Sequence, residues 1–196
     1  MTRFLATLLL SLGCAASAAS QPAEHQIAAA LQAAPENLRA EAAVLGWSEG
    51  RLVPLREGAG QTICEADDPS LEGYASSCYH TSMDAYIQRG RELRAAGHSF
   101  GEIRDIRGEE VAAGSLSYPD QPVASYFLYG ENGAFNPETG EVENVFRRYV
   151  LYTPYATVES SGLAETPVVP GAPWLMDAGS YHAHVMITPP SSAQDD

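Results

Sequence analysis

The segment Tyr181-His182-Ala183-His184 places two histidines one residue apart. On a strand, side chains two apart share a face, so His182 and His184 would project side by side with Met186. Two imidazoles on one face are a common half of a transition-metal site, and His80, Asp84 or the acidic loop after Cys64 could complete it. A plainer reading puts one imidazole in the core, hydrogen-bonded, and the other at an edge. A zinc set of Cys64, Cys78, His80 and His184 is also conceivable, but a disulfide between the cysteines would forbid it.

Other chemistry leaves less trace. The cupin use of His-x-His expects a glutamate shortly downstream, where this chain has Thr188 and Pro189. There is no G-x-S-x-G elbow and no glycine-rich phosphate loop. Acidic pairs such as Asp67-Asp68, Glu109-Glu110 and Asp195-Asp196 read as solvated turns or tails. The chain has ten tyrosines. Tyr126, Tyr129, Tyr149 and Tyr152 fall on expected strands, where they could line a groove or simply reflect β-propensity.

The N-terminus has the three-part pattern of a secretory signal. Arg3 supplies a positive charge, Phe4 to Gly13 is apolar, and small residues from Ala15 to Ala19 offer a cleavage site, so residues 1–19 are expected to be a signal peptide. The apolar run is shorter than the roughly 20 residues that span a bilayer. A second possibility concerns Cys14. The sequence Leu10-Ser11-Leu12-Gly13-Cys14 resembles a lipobox, which would make Cys14 a lipidated N-terminus and give the protein a lipid anchor. Ser11 stands where such a motif usually has leucine, and the alanines that follow favour ordinary cleavage. Export places Cys64 and Cys78 in an oxidising compartment, where an even count reads first as a disulfide. The loop they enclose is polar, and closing a loop of that size contributes about 3 kcal/mol on chain-entropy grounds.

Charge narrows the partners. The formal net charge is −14, and all eleven basic residues are arginine. Nucleic acid is excluded by the lack of a basic face, and anionic membrane surfaces are disfavoured for the same reason. The expected partner is a small molecule or a protein, and no cofactor follows from the sequence.

The elements that would position these residues are legible in outline. Residues 20–41 are expected as a helical or mobile leader, since Ala23 to Ala34 favours helix but shows no wide apolar stripe. Residues 42–188 are expected as a single domain, and 189–196 as a disordered acidic tail. Ala42–Trp47 and Arg51–Arg56 flank a hairpin signal at Ser48-Glu49-Gly50. The clearest helix runs from caps at Thr81 and Ser82 to a stop at Gly97. Residues 100–113 are ambiguous between helix and strand, and 130–144 read as a loop. Strands are expected at 123–129, 145–153, 174–176 and 181–188. The fold class is therefore α+β, with a mainly antiparallel sheet and one main packed helix.

Several segments resemble an uncharacterised family of exported bacterial proteins. They are Ala34-Pro35 through Arg56-Glu57-Gly58, Cys64 with Cys78 before the helix, Val150 to Pro154, and Pro173-Trp174-Leu175-Met176 with Ala183-His184-Val185-Met186. The resemblance implies export but brings no activity, cofactor or partner. The position of His184 matches the family's histidine. Relatives tend to have an aromatic where His182 stands and an acid where His80 stands, which counts against a metal site built on His182. The expected function is a small periplasmic or secreted binding or interaction domain without catalysis. The alternative is a metal-binding protein or metal-dependent hydrolase using His182 and His184, with His80.

Overall fold

A computed structural model describes residues 21–190. The expected signal peptide, Cys14 and the end of the acidic tail lie outside the described residues. In chain order the elements are α1 (Ala23–Leu31), α2 (Glu36–Arg39), β1 (Ala43–Ser48), β2 (Arg51–Arg56), β3 (Thr62–Glu65), β4 (Tyr74–His80), α3 (Asp84–Ala95), α4 (Phe100–Ala112), β5 (Val123–Gly130), β6 (Ala134–Asn136), β7 (Glu141–Glu143), β8 (Phe146–Tyr152), α5 (Val158–Ser161), β9 (Trp174–Met176) and β10 (His184–Ile187).

Eight strands form one sheet in the order β2-β1-β3-β4-β5-β8-β10-β9, and β6 and β7 make a small separate hairpin. Every neighbouring pair in the large sheet is antiparallel except β1 with β3. This is the expected α+β arrangement with a mainly antiparallel sheet. The residues expected as a loop between β5 and β8 carry the β6–β7 hairpin, which is three residues a side.

Strand pairing sorts side chains onto two faces. Tyr79 opposes Ser125, Ser125 opposes Val150, and Val150 opposes Met186. Because facing alternates along each strand, Tyr152 and His184 share that face. Cys64, Cys78 and His80 lie on the other.

The cysteine face is covered by α1. Ala29, Ala30, Ala33 and Ala34 are all buried against Val44, Cys64, Cys78 and Leu128. Alanines leave no conspicuous stripe in the sequence, yet their small side chains let a helix lie close to a sheet. The side chain of Gln26 ties the helix down: its Oε1 accepts from Trp47 N at 2.7 Å and its Nε2 donates to Trp47 O at 3.0 Å. At Gly46 a Cβ would collide with both Leu55 and that glutamine, so the glycine is what allows the approach. The segment expected as a helical or mobile leader is thus helical and built into the core, and the folded body begins before residue 42.

Cys64 and Cys78 stand directly opposite each other on β3 and β4 and form a disulfide. Their Cα atoms are 4.0 Å apart, and Cys78 Sγ lies 3.4 Å from Ala30 O. The staple therefore sits beneath α1 and pins the hairpin that α1 covers.

The other face is covered by α3 and α4. Tyr79, Met83 and Tyr86 form its buried centre, with Ile63, Ile87, Tyr118, Tyr152 and Tyr181 packed around them. Arg91 on α3 bonds Glu65 on β3 at 2.8 Å. Helix α3 is the one the pattern marked, although residues 81–83 form a short 3-10 turn ahead of it. Residues 100–112 resolve as helix α4. Its start is a capping box in which Ser99 Oγ accepts from Glu102 N and the Glu102 carboxylate accepts from Ser99 N. That Ser-x-x-Glu spacing was the available sequence signal. Periodicity was uninformative because Ile103 is the one buried residue of α4, while Phe100 is 76% exposed.

Candidate functional site

His184 opens β10, between Tyr152 of β8 and Met176 of β9. The chain reaches it through a tight turn after β9. Asp177 and Gly179 have φ of 53° and 76°, and glycine takes the left-handed region without cost. Backbone bonds fix the turn against the segment after β8: Gly179 N donates to Ala156 O at 2.7 Å, Tyr155 N to Ser180 O at 2.8 Å, and Thr153 N to Ala183 O at 2.8 Å. His182 belongs to this turn and not to the strand, which begins three residues later than the pattern suggested. The two imidazoles nonetheless meet, with ring centroids 5.0 Å apart.

Hydrogen bonding decides how each ring is protonated. His182 Nδ1 lies 3.2 Å from Asp177 Oδ2, and His184 Nδ1 lies 2.7 Å from the carbonyl oxygen of His182. A carboxylate and a carbonyl only accept, so both Nδ1 atoms carry hydrogen. In the neutral rings both Nε2 lone pairs are then free for an electrophile. Burial pushes the His182 imidazolium down to about 4; the neighbouring His184 lowers it further and Asp177 opposes the shift. His182 is therefore neutral at pH 7. One donor atom from each of Asp177, His182 and His184 lies within 4.8 Å of the others. Two metal–nitrogen bonds of about 2.1 Å span at most about 4.2 Å, so the cluster is of the size that groups sharing one ion require.

Tyrosines wall the pair in. Tyr152 lies 5.3 Å from His182 and 5.5 Å from His184 between ring centroids. Tyr86, Tyr118 and Tyr181 pack around His182, and the Tyr86 and Tyr181 hydroxyls are 3.1 Å apart. Arg107 from α4 lies over the Tyr86 ring at 3.8 Å and donates to Tyr86 O at 3.1 Å. Burial raises the Tyr86 and Tyr118 hydroxyls far above their ordinary range and pushes Tyr152 up to about 12. All three stay protonated at neutral pH. The Tyr118 hydroxyl is buried without a hydrogen-bond partner among the described residues, an uncommon condition that marks a polar spot.

The remaining expected ligands are elsewhere. His80 is on the opposite sheet face, and its Nδ1 accepts from Ser82 N at 3.2 Å, capping the 3-10 turn. A ligand role beside His182 and His184 is thereby corrected to a capping role, because the pleat turns neighbours of Tyr79 away from the site. Asp84 accepts from the Tyr79 hydroxyl at 3.1 Å. In the acidic loop, Asp67 accepts from Ala75 N at 2.8 Å and Asp68 from Ser70 N at 2.9 Å. The cysteines of the conceivable zinc set are joined to each other and face away from His184. Asp177 is the residue that sequence reasoning did not assign. Its signal was an acid opening the tight turn that immediately precedes the histidine pair.

Comparison with known proteins finds no matching family model, no matching curated protein and no matching solved structure. Among the described residues no helix is long and apolar enough to cross a membrane. The chemistry of this site is accordingly carried by its own geometry.

Proposed function

We propose that the chain is an exported binding domain that holds a transition-metal ion between His182 and His184. One observation carries the reading: both Nδ1–H groups are already engaged by acceptors, which orients two free Nε2 lone pairs from adjacent rings. This is how protein metal sites commonly prepare histidine, with a carboxylate or carbonyl behind each imidazole. The surroundings suit retention of an ion. His182 is kept neutral, the tyrosines cannot act as bases near pH 7, and Ser180 Oγ accepts from His182 N and makes no bond to either ring. Export is supported by the signal-like N-terminus, the disulfide, and the resemblance to an exported family. Loss of the first 19 residues on export is part of the proposal.

Metal analysis of protein purified from the periplasm or medium tests it, with His184→Ala as control. The expected result is one equivalent of metal in the wild type, none in the variant, and a melting temperature lowered by chelator. Wild-type protein that takes up no added zinc or copper and melts unchanged with chelator would overturn the reading.

A further inference from the structure

His184 and Met176 are directly opposed across β10 and β9, and Met186 and Trp174 form the next opposed pair. The sheet face therefore carries a row of Tyr152, His184 and Met176, with Val150, Met186 and Trp174 behind it. Side chains opposed in this way have Cβ atoms roughly 4.5–5.5 Å apart, within reach of a flexible thioether. Met176 and Met186 also line an open cleft of about 450 Å³, together with Trp174 and Arg148. Met176 is thus both the cross-strand neighbour of His184 and a lining residue of an opening.

Asp177 is placed differently. Its Oδ2 holds the Nδ1–H of His182, which is the work of a group behind a ligand. The donors left to face an ion are two imidazoles and a thioether. Imidazole suits several metals, but thioether sulfur selects Cu(I), whereas zinc is taken by thiolate, imidazole and carboxylate. Both cysteines of the folded body are oxidised to a disulfide, so thiolate is not on offer here.

We infer that Met176 is the third ligand and that the site is selective for Cu(I), bound by His182 Nε2, His184 Nε2 and Met176 Sδ. This rests on the metal-binding reading above and specifies its ion. No redox step is involved; the ion arrives and is held in the cuprous state. The carboxylate of Asp177 behind His182 offsets its single positive charge.

The test is anaerobic competition against a chromophoric Cu(I) chelator, with ascorbate present, for wild type, Met176→Leu, Met186→Leu and His184→Ala. A parallel titration uses Zn(II). Expected is one Cu(I) per chain, an affinity at least tenfold weaker in Met176→Leu, and a change under threefold in Met186→Leu. Zinc affinity should be the same in wild type and Met176→Leu. Copper X-ray absorption should show a sulfur neighbour that Met176→Leu removes. Equal Cu(I) affinity in Met176→Leu, or zinc binding with no Cu(I) binding, overturns this inference and leaves the metal site standing. Wild type that binds neither ion overturns the reading beneath it. Circular dichroism and melting of each variant separate loss of ligand from loss of fold.

Discussion

The two faces of the sheet solve different problems. Under α1, small side chains and a covalent staple hold the β1–β4 end together: alanines, Gly46, and a disulfide beneath Ala30. Under α3 and α4, the β8–β10 end is built from large rings with polar tips, and its histidines keep lone pairs in reserve. A region held by close packing, a disulfide and the Gln26–Trp47 hydrogen bonds is sensitive chiefly in its stability. A region with unspent hydrogen-bonding capacity can be given a ligand. The difference suggests that stability and binding are separable in this protein, each with its own set of sensitive residues.

The largest effect expected of breaking that division comes from Cys64→Ser with Cys78→Ser. Loss of a native disulfide in a small exported domain costs about 2–5 kcal/mol, so thermal or urea unfolding should shift strongly downward. Metal affinity, measured well below the new melting point, should be unchanged. A matching fall in affinity of the folded double variant would show that the faces are coupled. Next comes Asp177→Asn, expected to weaken the metal about 10- to 100-fold by loosening His182, while the unfolding midpoint of the metal-free protein barely moves. Smallest is His80→Ala. It removes a cap worth about 0.5–2 kcal/mol and should leave metal affinity at the wild-type value. A measured loss of metal in His80→Ala would contradict its placement on the opposite face.

Much of this was legible beforehand, and the misses share a cause. Strands announce themselves through alternation and β-branched or aromatic residues, so β1, β2, β5, β8 and β9 fall where the pattern puts them. Helix α3 carries Tyr86, Gly90 and Leu93 on a buried face, and periodicity finds it. Helix α1 buries alanine, which looks neutral in any hydropathy pattern, and so its place in the core was hidden. The site was half visible. His-x-His is local, but the face on which His80 lies depends on a register running across β3, β4, β5, β8 and β10. Such a chain of pairings cannot be read from one segment. Asp177 was hidden for a different reason: a turn residue with a positive φ looks like punctuation until the hairpin is closed.

The ends of the sheet have a consequence for behaviour at high concentration. An eight-stranded sheet has two free margins, and unpaired strand edges recruit further strands from other molecules. Here β2 carries Pro54 between arginines at both ends of the strand, and proline offers no N–H to a newcomer. At the far margin β9 is three residues long, follows Pro173, and spends Leu175 N on Ala164 O at 2.8 Å. Both margins thus carry features that oppose edge-to-edge growth, which favours a protein that stays dispersed instead of assembling into fibres.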